Sequence, residues 1–176
     1  NASYTEYLNR RRKKWDHLMM QHNLPTGTPK AFPPRSDKIK RYIRKGIPPE
    51  WRGAAWFWYA GGPARLAKNS GLYWDLIEQV GQGKLKDQDR EHIERDLHRS
   101  FPDNIRFKPD PGTAEDPATA GTDSCHSSLV PETPILRSLR RVLQAFAIHN
   151  PSVGYCQSLN FLAGLLPLFL HEDEEK

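Results

Sequence analysis

Thr133-Pro134-Ile135-Leu136-Arg137-Ser138-Leu139-Arg140-Arg141-Val142-Leu143-Gln144-Ala145-Phe146 is the stretch whose reading decides the fold class. Ile135, Leu136, Leu139, Val142, Leu143 and Phe146 recur at helical spacing, so they gather on one side of a helix. Thr133 suits the N-cap. Pro134 suits the first helical position, where its fixed φ is right and its missing N–H would have had no partner. Asn150-Pro151 ends the helix. The next helix is expected to open near Ser152 to Tyr155 and to run to about Leu170, with Gln157 in its first turn near the positive end of the dipole.

Upstream, Asp87 or Asp89 can cap a helix carrying Ile93, Asp96, Leu97 and Arg99. Ile93 and Leu97, four apart, anchor its buried face. Arg99 falls near its end, beside Phe101-Pro102. Shorter helical segments precede it: Leu72 to Val80, Pro63 to Lys68, and an aromatic helix from Pro49 that Gly61-Gly62 closes. The last carries Trp51, Trp56, Phe57, Trp58 and Tyr59, too many aromatics for all to face solvent. Ser36 or Asp37 can cap a helix running to Lys45, closed by Gly46. Tyr4 to His22 is helical in pattern. Every long segment reads as helix and no strand pair stands out, so the expected fold is all-α.

The chain has 176 residues and 37% hydrophobic content, enough for one domain with a core. Cys125 and Cys156 stand 31 apart with no framework pattern, which points to a reducing compartment. The most apolar stretch, Leu159 to Leu170, holds 12 residues including Asn160 and Pro167, too short to span a bilayer. Lys and Arg number 26 against 21 acids, a net charge of +5. Much of the excess sits in Arg10-Arg11-Arg12-Lys13-Lys14. This run reads either as a solvated face of an amphipathic helix or as a contact with anionic lipid headgroups. No helix-turn-helix, zinc or RNA-binding motif stands near it, so nucleic acid is not an expected partner. Leu24 to Ser36, with four prolines, reads as a linker or an irregular strap. Lys108 to Glu132 reads as a mobile low-complexity loop. Cys125-His126 within it lacks a second pair for a metal site. Gly81-Gln82-Gly83-Lys84 lacks phosphate-loop spacing. No cofactor or metal of the chain's own is expected.

Three motifs carry a resemblance. Ile93-Glu94-Arg95-Asp96-Leu97-His98-Arg99 is followed 56 positions after Arg99 by Tyr155-Cys156-Gln157, and Arg52-Gly53-Ala54-Ala55-Trp56 stands upstream. In this order they resemble the TBC domain, the family that activates Rab-type small GTPases. The resemblance covers roughly Lys38 to Lys176. It implies two regions: 1–36, a basic helix and Pro-rich linker, and 37–176, the N-terminal portion of a multi-helix TBC domain. The family's C-terminal helical part would be absent, leaving Leu165, Leu166, Leu168 and Phe169 partly exposed. Arg44 to Arg52, with Phe57 and Ala60-Gly61-Gly62, resembles fungal members acting in exocytic and endocytic traffic.

By this resemblance Arg99 is an arginine finger and Gln157 a glutamine finger, offered in trans to a GTP-bound Rab-type GTPase. Guanidinium is always charged and its donors match phosphate oxygens. A side-chain amide both donates and accepts, so it can orient the attacking water. GTP and Mg²⁺ would come with the partner. Asp96, Arg52, Tyr155 and Asn160 are expected in support. Asp96 pairs either with Arg99, three residues on, or with Arg52 across a helix interface. Tyr155 and Asn160 either position Gln157 or pack the core with satisfied polar tips. The family pattern continues Tyr-x-Gln-Gly-Met-Asn, whereas this chain has Ser158-Leu159-Asn160; Ser for Gly removes backbone freedom. The implied setting is cytoplasmic and peripheral to membranes. The rival reading is a TBC-like scaffold that binds a GTPase without accelerating hydrolysis.

Overall fold

The structure, a computed structural model, describes residues 2–108 and 132–170. Among the described residues all regular elements are helices, as the patterning requires. No described helix is long and apolar enough to cross a membrane. The described residues divide into two compact units, one of residues 2–70 with 169–170, the other of residues 71–108 with 132–168.

The first unit holds α1 (Ala2–Gln21), α2 (Asp37–Arg44), α3 (Arg52–Tyr59) and α4 (Gly62–Lys68). Ser36 caps α2, its hydroxyl accepting from the Ile39 N–H at 3.3 Å. Gly46, at φ +103°, turns the chain out of the helix, a conformation open to a residue without Cβ. Trp15, Leu18 and Met19 of α1 share one core with Phe32, Ile39, Ile47, Trp51 and Ala55. Residues 1–36, expected as a region of their own, therefore supply half of this core. Leu24 to Ser36 is a strap. Phe32 is buried in it, and the carbonyls of Gly27 and Pro33 accept from Trp51 Nε1 at 3.2 Å and the Tyr59 hydroxyl at 3.0 Å.

The basic run does not form one solvated face. Arg11 is buried, and its guanidinium donates to the carbonyls of Tyr42 (2.8 Å) and Gly46 (3.0 and 3.1 Å). The Tyr42 carbonyl belongs to the last turn of α2, where a cation suits the dipole, and the Gly46 carbonyl lies just beyond the helix. Arg12 lies over the Trp51 ring and pairs with Asp16 and Glu50. Only Arg10, Lys13 and Lys14 of the five stay exposed. Trp51, in the 3₁₀ turn Pro49–Trp51 before α3, is buried, while Trp56, Trp58 and Tyr59 of α3 pack half-buried against the same core.

The second unit holds α5 (Leu72–Gly81), α6 (Asp87–Leu97), α7 (Pro134–His149) and α8 (Leu159–Leu165), which runs into a 3₁₀ turn at Leu166–Leu168. Helices α5, α6 and α8 all pack on α7. Thr133 caps α7, accepting from the Leu136 N–H at 3.3 Å, and Leu139 and Leu143 are fully buried in a core with Ile93, Leu97 and Tyr155. Arg140 of α7 grips Glu94 of α6 with two parallel bonds of 2.7 and 2.8 Å, the fork geometry that suits a carboxylate. Leu165 and Leu166 are exposed, whereas Leu168 packs on the core.

Two expectations are corrected here. Neither Asp87 nor Asp89 caps α6: Lys86 holds the N-cap position with no side-chain bond, and Asp89 turns inward. The helix expected from about Ser152 begins only at Leu159. Gly154 (φ +60°) and Ser158 (φ +80°) are left-handed and break the pattern between them. Gln157 therefore precedes α8 by two residues instead of occupying its first turn. Residues 109–131, nearly all of the low-complexity loop expected from Lys108 to Glu132 and including Cys125-His126, lie outside the described residues, as do residues 171–176.

Trp15→Ala should destabilise the chain by ~3–5 kcal/mol, the usual cost of emptying a buried aromatic site. Arg10→Ala, at an exposed neighbour, should stay within ~0.5 kcal/mol. Urea unfolding followed by tryptophan fluorescence separates the two.

Candidate functional site

Helix α6 ends at Leu97, and Arg99 follows it, with its side chain 51% exposed. The guanidinium Nη2 donates to Asp96 Oδ1. Of the two pairings open to Asp96, the structure thus forms the local one. The other carboxylate oxygen, Oδ2, accepts from the Tyr155 hydroxyl at 2.6 Å. Burial, and then the bond to Asp96, push the Tyr155 pKa well above the ordinary phenol value, so the phenol stays a donor. Asn160 Nδ2 donates to Ser100 Oγ at 2.8 Å and to the Asp96 carbonyl at 3.3 Å, while Ser100 Oγ donates to that same carbonyl at 2.8 Å. Asp96, Ser100, Tyr155 and Asn160 are all buried.

This polar knot ties the turn that carries Gln157 to the helix that leads to Arg99. Asp89 adds a second tie: its Oδ1 accepts from the Tyr155 backbone N–H at 2.9 Å. The result is a cleft of about 290 Å³ lined by His92, Arg95, Asp96, Arg99, Tyr155, Cys156 and Gln157. Gln157 and Arg99 are exposed on its wall. His92 and Arg95 of α6 and Arg99 just beyond it follow one another at helical spacing and set a row of basic groups along the cleft, with the Asp96 carboxylate among them and Asp89 buried behind. A guanidinium and an amide opening into one basic cleft can engage a polyphosphate and a water together.

Of the residues expected to act, Arg99, Asp96, Tyr155, Gln157 and Asn160 come together. Arg52 does not join them. It belongs to the first unit, where its Nε donates to the Ile47 carbonyl at 3.4 Å and its guanidinium lies 6.0 Å from the Phe169 ring centre. Asp89, Ser100, His92 and Arg95 were not singled out by motif. The available signal for Asp89 and Ser100 was periodicity: Asp89, Ile93 and Asp96 step along one side of α6, and Ser100 continues the spacing just past its end. No group of three or more His, Cys, Asp or Glu that could hold a metal occurs among the described residues.

Ser158 stands where the related pattern has glycine, and it adopts φ +80°, ψ −11°. That conformation costs a residue with Cβ about 1–2 kcal/mol.

The chain matches the family model of the Rab-GTPase-TBC domain over residues 119–176, a range that includes Gln157. It is 46% identical to the GTPase-activating protein GYP3 of Saccharomyces cerevisiae, over 98% of this chain and 26% of that protein. It is 42% identical to the GTPase-activating protein MSB4 of the same yeast, over 98% of this chain and 32% of that protein. It also superposes on the crystal structure of the Chlamydomonas flagellar RabGAP TBC domain with a TM-score of 0.67 and 25% identity, covering 99% of this chain and 48% of that one. The chain thus spans about a third or less of the length of the two yeast relatives.

Ser158→Gly should stabilise the chain, because relief of ~1–2 kcal/mol of strain exceeds the ~0.4–1 kcal/mol that added freedom gives the unfolded chain. Thermal unfolding reads this as a rise in Tm. Tyr155→Phe should cost ~1–3 kcal/mol by leaving a buried carboxylate oxygen without its donor. Its pH signature follows from the raised Tyr155 pKa. The folded chain holds that proton more tightly than the unfolded chain. The contribution is complete below the unfolded value of about 10 and is lost as pH rises beyond it. Unfolding measured from neutral to alkaline pH should show this decline in the wild type and a smaller one in Tyr155→Phe.

Proposed function

The chain belongs to the RabGAP-TBC family, and from that premise we propose that it accelerates GTP hydrolysis on a Rab-type small GTPase by supplying Arg99 and Gln157 in trans. The observation that carries this reading is the cleft in which both side chains are exposed. A GTPase hydrolyses slowly because charge growing on the transferred phosphoryl oxygens is poorly neutralised and the attacking water is loosely held. Arg99 answers the first need. Asp96 steadies it from behind through one Nη2, which limits the rotamer freedom lost when the guanidinium meets phosphate. Gln157 answers the second, its carbonyl accepting a proton of the water and its amide donating to a neighbouring oxygen. The partner brings the nucleotide and its Mg²⁺.

The proposed partner is the GTP-bound form, since only it carries the γ-phosphate. The proposed setting is the cytoplasmic side of a membrane in vesicle traffic, where the exposed Arg10, Lys13 and Lys14 would face anionic headgroups. One observation favours the scaffold reading instead. Ser158 follows Gln157 directly and is strained, so the glutamine finger rests on a backbone less at ease than glycine would be.

Single-turnover hydrolysis on a panel of GTP-loaded Rab proteins tests the proposal in the full-length protein. The wild type should accelerate at least one of them. Arg99→Ala and Gln157→Ala should each lose roughly 100-fold or more. Arg99→Lys should lose nearly as much as Arg99→Ala, because an ammonium cannot fork onto two oxygens. No acceleration of any properly loaded Rab would leave the scaffold.

A further inference from the structure

We propose that Asp89 is a positioning residue for Gln157, so that α6 sets both fingers in register through two buried carboxylates. The inference rests on the two-finger reading above. Asp89 and Asp96 are seven residues apart on one helix, two turns along the same face. Both reach the same residue. Asp96 takes the Tyr155 hydroxyl at 2.6 Å and Asp89 takes the Tyr155 backbone N–H at 2.9 Å. A residue held only at the tip of its side chain can still swivel about it. A residue held at tip and backbone is fixed in both place and direction, and so is the chain that leaves it. Gln157 is the second residue of that chain.

The neighbouring positions are cut to fit this grip. A Cβ on Gly154 would fall 2.8 and 3.0 Å from the two carboxylate oxygens of Asp89, so only glycine lets the backbone come this close. Its φ of +60° is also one that favours glycine. Lys86, at the start of the same helix, adds a bond of 3.3 Å to the Pro151 carbonyl. Asp89 sits in the first turn of α6, where an acid commonly caps, yet it makes no cap bond. Its side chain is turned inward to the Tyr155 N–H at a cost in lost hydration that a surface acid avoids. At the other end of α6, two residues past Leu97, Arg99 leans on Asp96. One rigid helix therefore carries the reference point for each finger.

The experiment is single-turnover GTP hydrolysis at saturating GTPase, with affinity for the partner loaded with a non-hydrolysable GTP analogue measured separately. Asp89→Ala should lower the maximal rate by about 10- to 100-fold, the scale on which a misplaced group loses rate, with affinity held within about 2-fold and Arg99 in place. Asp89→Asn keeps an acceptor oxygen for the Tyr155 N–H and should retain most of the rate, which a requirement for charge would not allow. In a Gln157→Ala background, Asp89→Ala should add little further loss, because both changes disable one finger. Asp89→Ser is too short to reach the N–H and replaces Asp89→Ala should the latter not fold, as judged by circular dichroism and Tm. A folded Asp89→Ala with wild-type rate, while Gln157→Ala is impaired, would overturn the positioning role alone. So would a full additional loss in the Gln157→Ala background. Wild-type rate in Gln157→Ala itself would overturn the glutamine finger and, with it, this proposal.

Discussion

The hydrogen bond from the Tyr155 hydroxyl to Asp96 organises the candidate site of the second unit. Asp96 is 3% exposed, and an acid so placed needs charge-assisted partners to offset its lost hydration. Tyr155 is the buried partner and Arg99 the half-exposed one. Their weights differ. A hydrogen bond to a charged group is worth about 1.5–3 kcal/mol when shielded from water, whereas an exposed ion pair contributes about 0–1 kcal/mol. Tyr155 and Asp96 therefore form the foundation, and Arg99 is a group held in readiness on it. Asn160 and Ser100 close the knot around the Asp96 carbonyl at the end of α6. The turn at residues 151–158 and the end of α6 consequently behave as one piece.

The first unit shows the same economy with cations. The end of α2 leaves carbonyls without helical partners, and the Gly46 carbonyl beyond it receives Arg11 and the Trp15 indole N–H at 3.0 Å. The charge that looks like surplus in the sequence is a cap contributed by another helix. Arg12 is likewise occupied, stacked on Trp51 and paired with two acids. Three exposed cations remain of the five, a weaker electrostatic surface than the run suggests.

Much of this was legible because it is local. Thr133-Pro134 before a 3.6-residue apolar rhythm states its helix, and Ser36 before α2 does the same. The spacing of Asp96 and Arg99 made their pairing one of the two open to Asp96, and the structure forms it. The motif pair named the residues that meet in the cleft. What was not legible depends on contacts distant in sequence. Asp89 looked like a cap because acids at helix starts usually are; only Tyr155, 66 residues on, reveals it as an inward anchor. Arg11 looked solvated because its partners, Tyr42 and Gly46, lie more than thirty residues away. The late start of α8 was hidden because Ser gives no sequence sign of a left-handed φ, and the pattern from Ser152 onward offered no proline to mark the break.

The grip on Tyr155 also bears on how the turn moves. A stretch without regular structure on a protein surface is ordinarily among the first to open, and its amides exchange with solvent quickly. Here the Tyr155 amide is bound to a buried carboxylate and its side chain to another. Releasing that amide strips Asp89 of its partner while the hydroxyl bond to Asp96 still holds the residue at a second point. Its opening therefore belongs with the separation of α6 from the turn, while Gln157, two residues away and exposed, keeps the fast fluctuations of a side chain on a still backbone.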